Sequence, residues 1–236
     1  MEQIIRDAQL KLLEVFAKTT KTFALAGGTA LELFYLKHRF SRDLDFFSPR
    51  YDLKEIDSLI SKFGEAVDEP IKFEDEFISS SRAKVRFYSV KIKGSAGPMK
   101  IDFVEDVFFD RPTIRRFNNI PVYDVADIYF QKIITLTGAN LIKDETGREI
   151  TTGRREVRDI FDTYCLSKKI EALHKYLKRL DRRYQRGIVQ WYRSYSRQDV
   201  KTGVFDLDIY DKKFDTLEMI TYLDNEIKKF MHEVLE

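Results

Sequence analysis

The sequence predicts an α+β fold over residues 1–122 and a helical region over residues 123–236. Three observations point there. Helical apolar spacing alternates with short β-branched and aromatic runs as far as Val122. Glycine and proline clusters punctuate those runs. From Arg154 onward the pattern is mainly helical.

Taken in order, Ile4, Ile5, Ala8, Leu12, Val15 and Phe16 recur at three- and four-residue steps, which predicts an amphipathic helix over 2–18. Phe23 to Ala26 is a short apolar run stopped by Gly27-Gly28, the mark of a buried strand and a tight turn. Thr29 to His38 reads as a helix, Ser41 to Phe47 as a strand, and Asp52 to Phe63 as a helix capped by Asp52. Ile71–Ile78, Lys84–Lys93 and Met99–Val104 read as strands, the last two joined by a turn at Gly94-Ser-Ala-Gly97-Pro98. Asp124 is positioned to cap a helix through Thr137, and the polar stretch Gly138–Gly153 reads as a loop.

Composition narrows the function classes. The 236 residues carry 41 Lys/Arg and 39 Asp/Glu, with 43% hydrophobic residues, so the chain can bury a core without disulfides. One cysteine, Cys165, excludes an internal bridge and a multi-cysteine metal site, and three scattered histidines give no His-built one. No run approaches the ~18–20 apolar residues of a membrane span. The N-terminal MEQIIRDAQLKLLEVF lacks the basic, apolar, small order of a signal peptide, so the expected setting is the cytoplasm, with no membrane partner.

Charge is divided along the chain. Residues 154–197 hold thirteen Lys/Arg against five Asp/Glu, a local charge of +8, and residues 198–236 hold five against ten. The basic stretch also carries Tyr164, Tyr176, Tyr184, Trp191, Tyr192 and Tyr195. Cations attract phosphate and exposed aromatic faces stack on bases, so an RNA-docking surface is one expectation. A solvated bundle with its rings in the core is the other.

The chemistry concentrates in Leu25-Ala-Gly27-Gly28-Thr29-Ala-Leu and Arg39-Phe-Ser41-Arg42-Asp43-Leu44-Asp45-Phe46-Phe47. In a strand, Asp43 and Asp45 project to one face and Leu44 to the other. Two such carboxylates repel unless a cation lies between them, and a hard ion such as Mg²⁺ or Mn²⁺ suits oxygen ligands while leaving room for phosphates. Gly27 and Gly28 offer backbone N–H groups at a helix start, a phosphate cradle, with Thr29 as a cap or a further donor. Asp102, facing opposite to Ile101 and Phe103, is a third metal carboxylate or a base for an attacking hydroxyl.

Gly27-Gly28-Thr29-Ala30-Leu31, with Arg39, Ser41 and Asp43-Leu44-Asp45-Phe46-Phe47 at this spacing, resembles the opening motif of the AbiEii/AbiGii toxin family of polymerase-β-like nucleotidyltransferases. Tyr129-Phe130-Gln131-Lys132-Ile133-Ile134 resembles its Lys-bearing helix, and Arg158-Asp159-Ile160-Phe161-Asp162-Thr163-Tyr164 its Arg-Asp-x-x-Asp segment. The resemblance implies a mixed sheet flanked by helices and then a helical C-terminal region. It implies metal-dependent transfer from a nucleoside triphosphate to an acceptor hydroxyl, tRNA in many members, and an opposing antitoxin. It carries Lys132 over as a nucleotide-phosphate contact and Asp159 as the acidic residue that orients it. Asp162 is expected to be structural, paired with Arg158. The same site would also suit nucleotidylation of a protein or small molecule, and a non-catalytic RNA-binding module on the same fold is the further alternative.

Overall fold

The computed structural model describes residues 2–79, 82–138, 141–143, 149–151, 153–154 and 156–235. The chain forms two compact units, one of residues 1–35 and 40–128, the other of residues 36–39 and 129–236. The division falls six residues beyond Val122, and the short segment 36–39 goes with the second unit.

The first unit opens with α1 (Glu2–Thr19), β1 (Ala24–Ala26) and α2 (Gly27–Ala30), which runs on as π-helical turns over Leu31–Leu36. Then follow β2 (Leu44–Ser48), α3 (Leu53–Val67), β3 (Ile71–Ser79), β4 (Arg82–Val90), β5 (Met99–Glu105), β6 (Ile114–Phe117) and β7 (Ile120–Tyr123). One seven-stranded mixed sheet has the order β3-β4-β5-β2-β1-β7-β6, in which β2/β5 and β1/β7 are parallel. Its centre owes its two faces to period-two alternation. Leu44, Phe46, Ile101 and Phe103 are fully buried on one face. Phe46 stacks there on Phe16 of α1 at 4.2 Å and on Phe103 at 5.3 Å, with Phe63 of α3 at 5.9 Å. Truncating such a ring to Ala costs about 3–5 kcal/mol, so this face locks the register of β2 and β5. Asp45 and Asp102 are left on the other, half-exposed face.

Local chemistry explains the joints. The Asp52 side chain accepts the Lys54 and Glu55 amides and caps α3 as expected. The buried Glu55 carboxylate takes the Lys21 and Thr22 amides and both neighbouring threonine hydroxyls, fixing the turn that feeds β1. Burial would raise its pKa, but those hydrogen bonds hold it below the ordinary value. The β6–β7 hairpin, absent from the expectations, turns on Asn118 and Asn119, both at positive φ.

The second unit takes in most of α4 (Val125–Thr137), then β8 (Leu141–Lys143), β9 (Glu149–Thr151), α5 (Val157–Lys169), α6 (Leu173–Lys178), α7 (Arg182–Ser194), α8 (Arg197–Gly203), a 3₁₀ turn at Val204–Asp206 and α9 (Thr216–Leu235). Asp124 caps α4 as expected, its side chain accepting the Ala126 amide at 3.0 Å. The stretch expected as a loop contains the antiparallel pair β8/β9, whose polar composition concealed it. Residues 139–140, 144–148 and 152 of that stretch, and Arg155 of the basic region, lie outside the described residues. No described helix is long and apolar enough to cross a membrane.

Candidate active site

Asp45 and Asp102 are Cα partners across the parallel pair β2/β5. Partners in register project to the same face about 4.8 Å apart, so the two carboxylates stand side by side. Asp43 lies just ahead of β2 and, like both of them, is half-exposed. Gly27 closes this corner. Its φ is +67°, and a Cβ there would fall 2.9 Å from Asp45 Cγ and collide with the carboxylate oxygen. Only glycine lets the backbone turn left-handed and admit Asp45 against it. Gly28 follows at the start of α2, which has no side-chain cap.

Thr29 takes a different part from the one expected. Its side chain is fully buried, and its hydroxyl donates to the Asp43 carbonyl oxygen. It therefore ties α2 to the Asp-x-Asp segment, and its hydroxyl proton is spent on the main chain.

Among the described residues, no three His, Cys, Asp or Glu side chains are gathered into a ready metal cage. The donor set itself is all carboxylate, two in register with a third just upstream, the chemistry a hard divalent cation takes.

Lys132 and Asp159 come together in the second unit at 2.6 Å, both nearly buried. Lys132 also meets Asp162 at 2.9 Å. Asp162 is fully buried and structural, as expected, but its partners come from far along the chain instead of from its helical neighbour Arg158. Arg39 grips it in a bidentate fork, Nε donating at 2.7 Å and Nη2 at 2.8 Å. His38 Nε2 donates to it at 2.8 Å, since the carboxylate can only accept, and the ring lies flat against Phe161. Burial alone would raise the Asp162 pKa, but Lys132, Arg39 and the His38 hydrogen bond hold it well below the carboxylate range. Burial would lower the Lys132 pKa, but Asp159 and Asp162 hold it above the ordinary lysine value. Sequence reasoning gave Arg39 and His38 no role. The one signal was the place of Arg39 at the head of the motif that runs to Phe47.

The aromatic rings of the basic stretch mostly fill the helical core. Tyr176, Tyr184, Trp191 and Tyr195 are buried, Trp191 stacking on Tyr195 at 4.6 Å and Tyr176 on Tyr129 at 4.1 Å. Base stacking by these four, one of the two expectations, is thereby corrected. Exposed cations remain, with Arg182, Arg183, Arg186 and Arg193 on the solvent side of α7.

Two solved structures are similar to this chain. A candidate nucleotidyltransferase from H. pylori is 17% identical with a TM-score of 0.57, over 98% of this chain and 96% of that one. JHP933 from Helicobacter pylori is 17% identical with a TM-score of 0.56, over 99% and 96%. No curated protein is significantly similar in sequence. The seven-stranded mixed sheet is the fold shared with those two structures, and the class the chain falls in is that of the nucleotidyl transferases. More narrowly, the chain belongs to the family of AbiEii nucleotidyl transferase toxins of type IV toxin–antitoxin systems, whose model matches residues 11–234.

Proposed function

We propose that this nucleotidyltransferase moves a nucleotide from a nucleoside triphosphate to a hydroxyl of RNA, with tRNA as acceptor, in the cytoplasm, and that a separate antitoxin opposes it. The observation carrying the reading is the in-register pair Asp45 and Asp102 beside the Gly27 corner. Asp43, Asp45 and Asp102 would hold a divalent cation, Mg²⁺ or Mn²⁺. When bound, that ion neutralises triphosphate charge and acidifies the acceptor hydroxyl.

The chain's own groups do the rest. The Gly27 and Gly28 amides hold phosphate oxygens at the helix start. Asp102 takes the proton of the acceptor hydroxyl. The acceptor oxygen bonds to the α-phosphorus as the α–β bridge breaks, and pyrophosphate leaves with the bridging electrons. Lys132, bonded to Asp159 and Asp162, braces the core of its own unit. Alignment of the reacting groups supplies most of the rate.

The exposed face of α7 supports a polyanionic acceptor. Arg182, Arg186 and Arg193 fall at i, i+4 and i+11, one side of the helix, with Arg183 beside them. The helix contains no Asp or Glu. A cationic row of this kind follows a phosphate backbone by charge alone.

Labelled nucleoside triphosphates, given one at a time to an extract containing RNA and protein, test the reading. Wild type is expected to label RNA and Asp43→Ala to label nothing. Equal labelling by the two would sink the site, and label in protein or small molecules would sink the acceptor.

A further inference from the structure

Three side chains outside the strand motif close a circuit around the backbone that presents Asp43 and Asp45. Residues Ser41, Arg42 and Asp43 form neither helix nor strand, so their main-chain groups need partners from elsewhere. Gln9 of α1 is fully buried, and its Nε2 donates to the Ser41 carbonyl at 2.9 Å and to the Arg42 carbonyl at 2.8 Å. Its Oε1 accepts from Arg6 Nη1 at 2.7 Å, which fixes the orientation of the amide because arginine only donates. The other arm of Arg6 pairs with the buried Glu32 carboxylate. The second oxygen of Glu32 accepts the Ser41 amide at 2.8 Å and completes the ring. Thr29 adds the Asp43 carbonyl. The carbonyls of three successive residues and the amide of the first are thus held by side chains.

We infer that Arg6, Gln9 and Glu32 are positioning residues for nucleotide transfer, fixing the main chain that aims Asp43 and Asp45. Arg6 and Gln9 precede residue 11, where the family match begins, so the family motif does not assign them. A buried ion pair and a fully bonded glutamine are costly ways to fill a core, and fixing one geometry is what they offer in return. The inference rests on the reading of Asp43 and Asp45 as the carboxylates of the reaction.

The test uses the full chain with three variants. Asp45→Ala tests the site, and Gln9→Met and Arg6→Met open the ring while keeping apolar bulk. Labelled-nucleotide transfer in the same extract is followed against Mg²⁺ concentration, and amide hydrogen exchange is read over the whole chain. Gln9→Met and Arg6→Met are expected to raise half-saturating Mg²⁺ by about ten- to a hundred-fold. They are also expected to speed exchange at residues 41–45 while the strands β4 and β5 exchange as in wild type. Wild-type Mg²⁺ dependence, or faster exchange throughout the unit, overturns the inference. Full activity in Asp45→Ala overturns it by a separate route, because the site reading itself then fails. If Gln9→Met does not fold, Gln9→Asn keeps the amide one methylene short and is held to the same readouts.

Discussion

In the first unit, Asp45 and Asp102 stand in register on a half-exposed sheet face, with Gly27 packed against Asp45. In the second, Asp159 and Asp162 lie inside the protein against Lys132 and Arg39, two acids matched by two bases. The side chain is the same, and its surroundings decide what it can do. Asp162 has all its acceptor positions filled by protein donors, so its charge is consumed in holding α4, α5 and the 36–39 segment of its own unit. Asp45 is oriented by the packing of the Leu44 and Phe46 side chains on the far side of its strand, which sets its carboxylate on the half-exposed face. Loss of the first should therefore register in folding, and loss of the second in turnover.

The largest effect expected is on catalysis. Asp45→Ala should lower nucleotide transfer by on the order of 10³-fold, since one removed metal carboxylate costs several kcal/mol of barrier. Its urea midpoint should stay near that of wild type. Retained transfer would erase the contrast between the two units.

Next comes Asp162→Ala, expected to destabilise by about 3–5 kcal/mol because it leaves Arg39 and Lys132 buried without their shared partner. Urea unfolding measures it, and wild-type stability would show that the buried cluster does not hold the unit. The same pair sharpens the contrast through pH. The Asp162 pKa is depressed, so its contribution is complete above about pH 4, the unfolded carboxylate range, and drains away as pH falls through the lower folded value. The Lys132 pKa is raised, so its contribution is complete below its unfolded value of about 10.4 and is lost as pH climbs through the folded one. Wild type should thus lose stability on acidification more steeply than Asp162→Asn, as read by unfolding at a series of pH values.

Gly27→Ala should cost about 1–2 kcal/mol for a side chain forced to positive φ, and should depress transfer as well, because the new methyl displaces Asp45. A calorimetric melt together with the transfer assay checks both. An alanine tolerated in both measurements would remove the glycine corner from the site.

The smallest effect on folding belongs to the α7 surface. Arg182→Gln, Arg186→Gln and Arg193→Gln together should leave stability within about 0.5 kcal/mol. RNA binding should weaken, and each lost phosphate contact should flatten the log–log salt dependence by roughly 0.7–0.9. An unchanged salt slope would remove this face from the acceptor site.

Much of this was legible in the residues. The helix over 2–18 and the strands at Ile71, Lys84 and Met99 follow from three-and-four or alternate-residue spacing, and the Asp52 and Asp124 caps from residue type. Alternation predicted the facing of Asp45 within β2, whereas Asp43, expected in the same strand, lies just ahead of it. The β6–β7 hairpin was missed although Asn118–Asn119 is a two-residue turn signal, because its strands are only four residues long. The β8/β9 pair was missed for a similar reason, with three residues a side. Thr29 was read as a phosphate donor from its place in a motif, whereas burial turned its hydroxyl inward. Tyr176, Tyr184 and Tyr195 of the basic stretch suited stacking on RNA or packing in a core, and burial chose the core.

By itself, the sequence determined the longer elements, their buried faces and the motif in which the carboxylates sit, because period and residue type are local properties. Only the tertiary structure decided partners. Arg39 with Asp162, Gln9 with Ser41 and Asp45 with Asp102 are pairings between residues 32 to 123 positions apart, and nothing in either local segment names the other. The reason is physical. A buried polar atom must find a complement wherever packing brings one, and packing is settled by the whole chain at once.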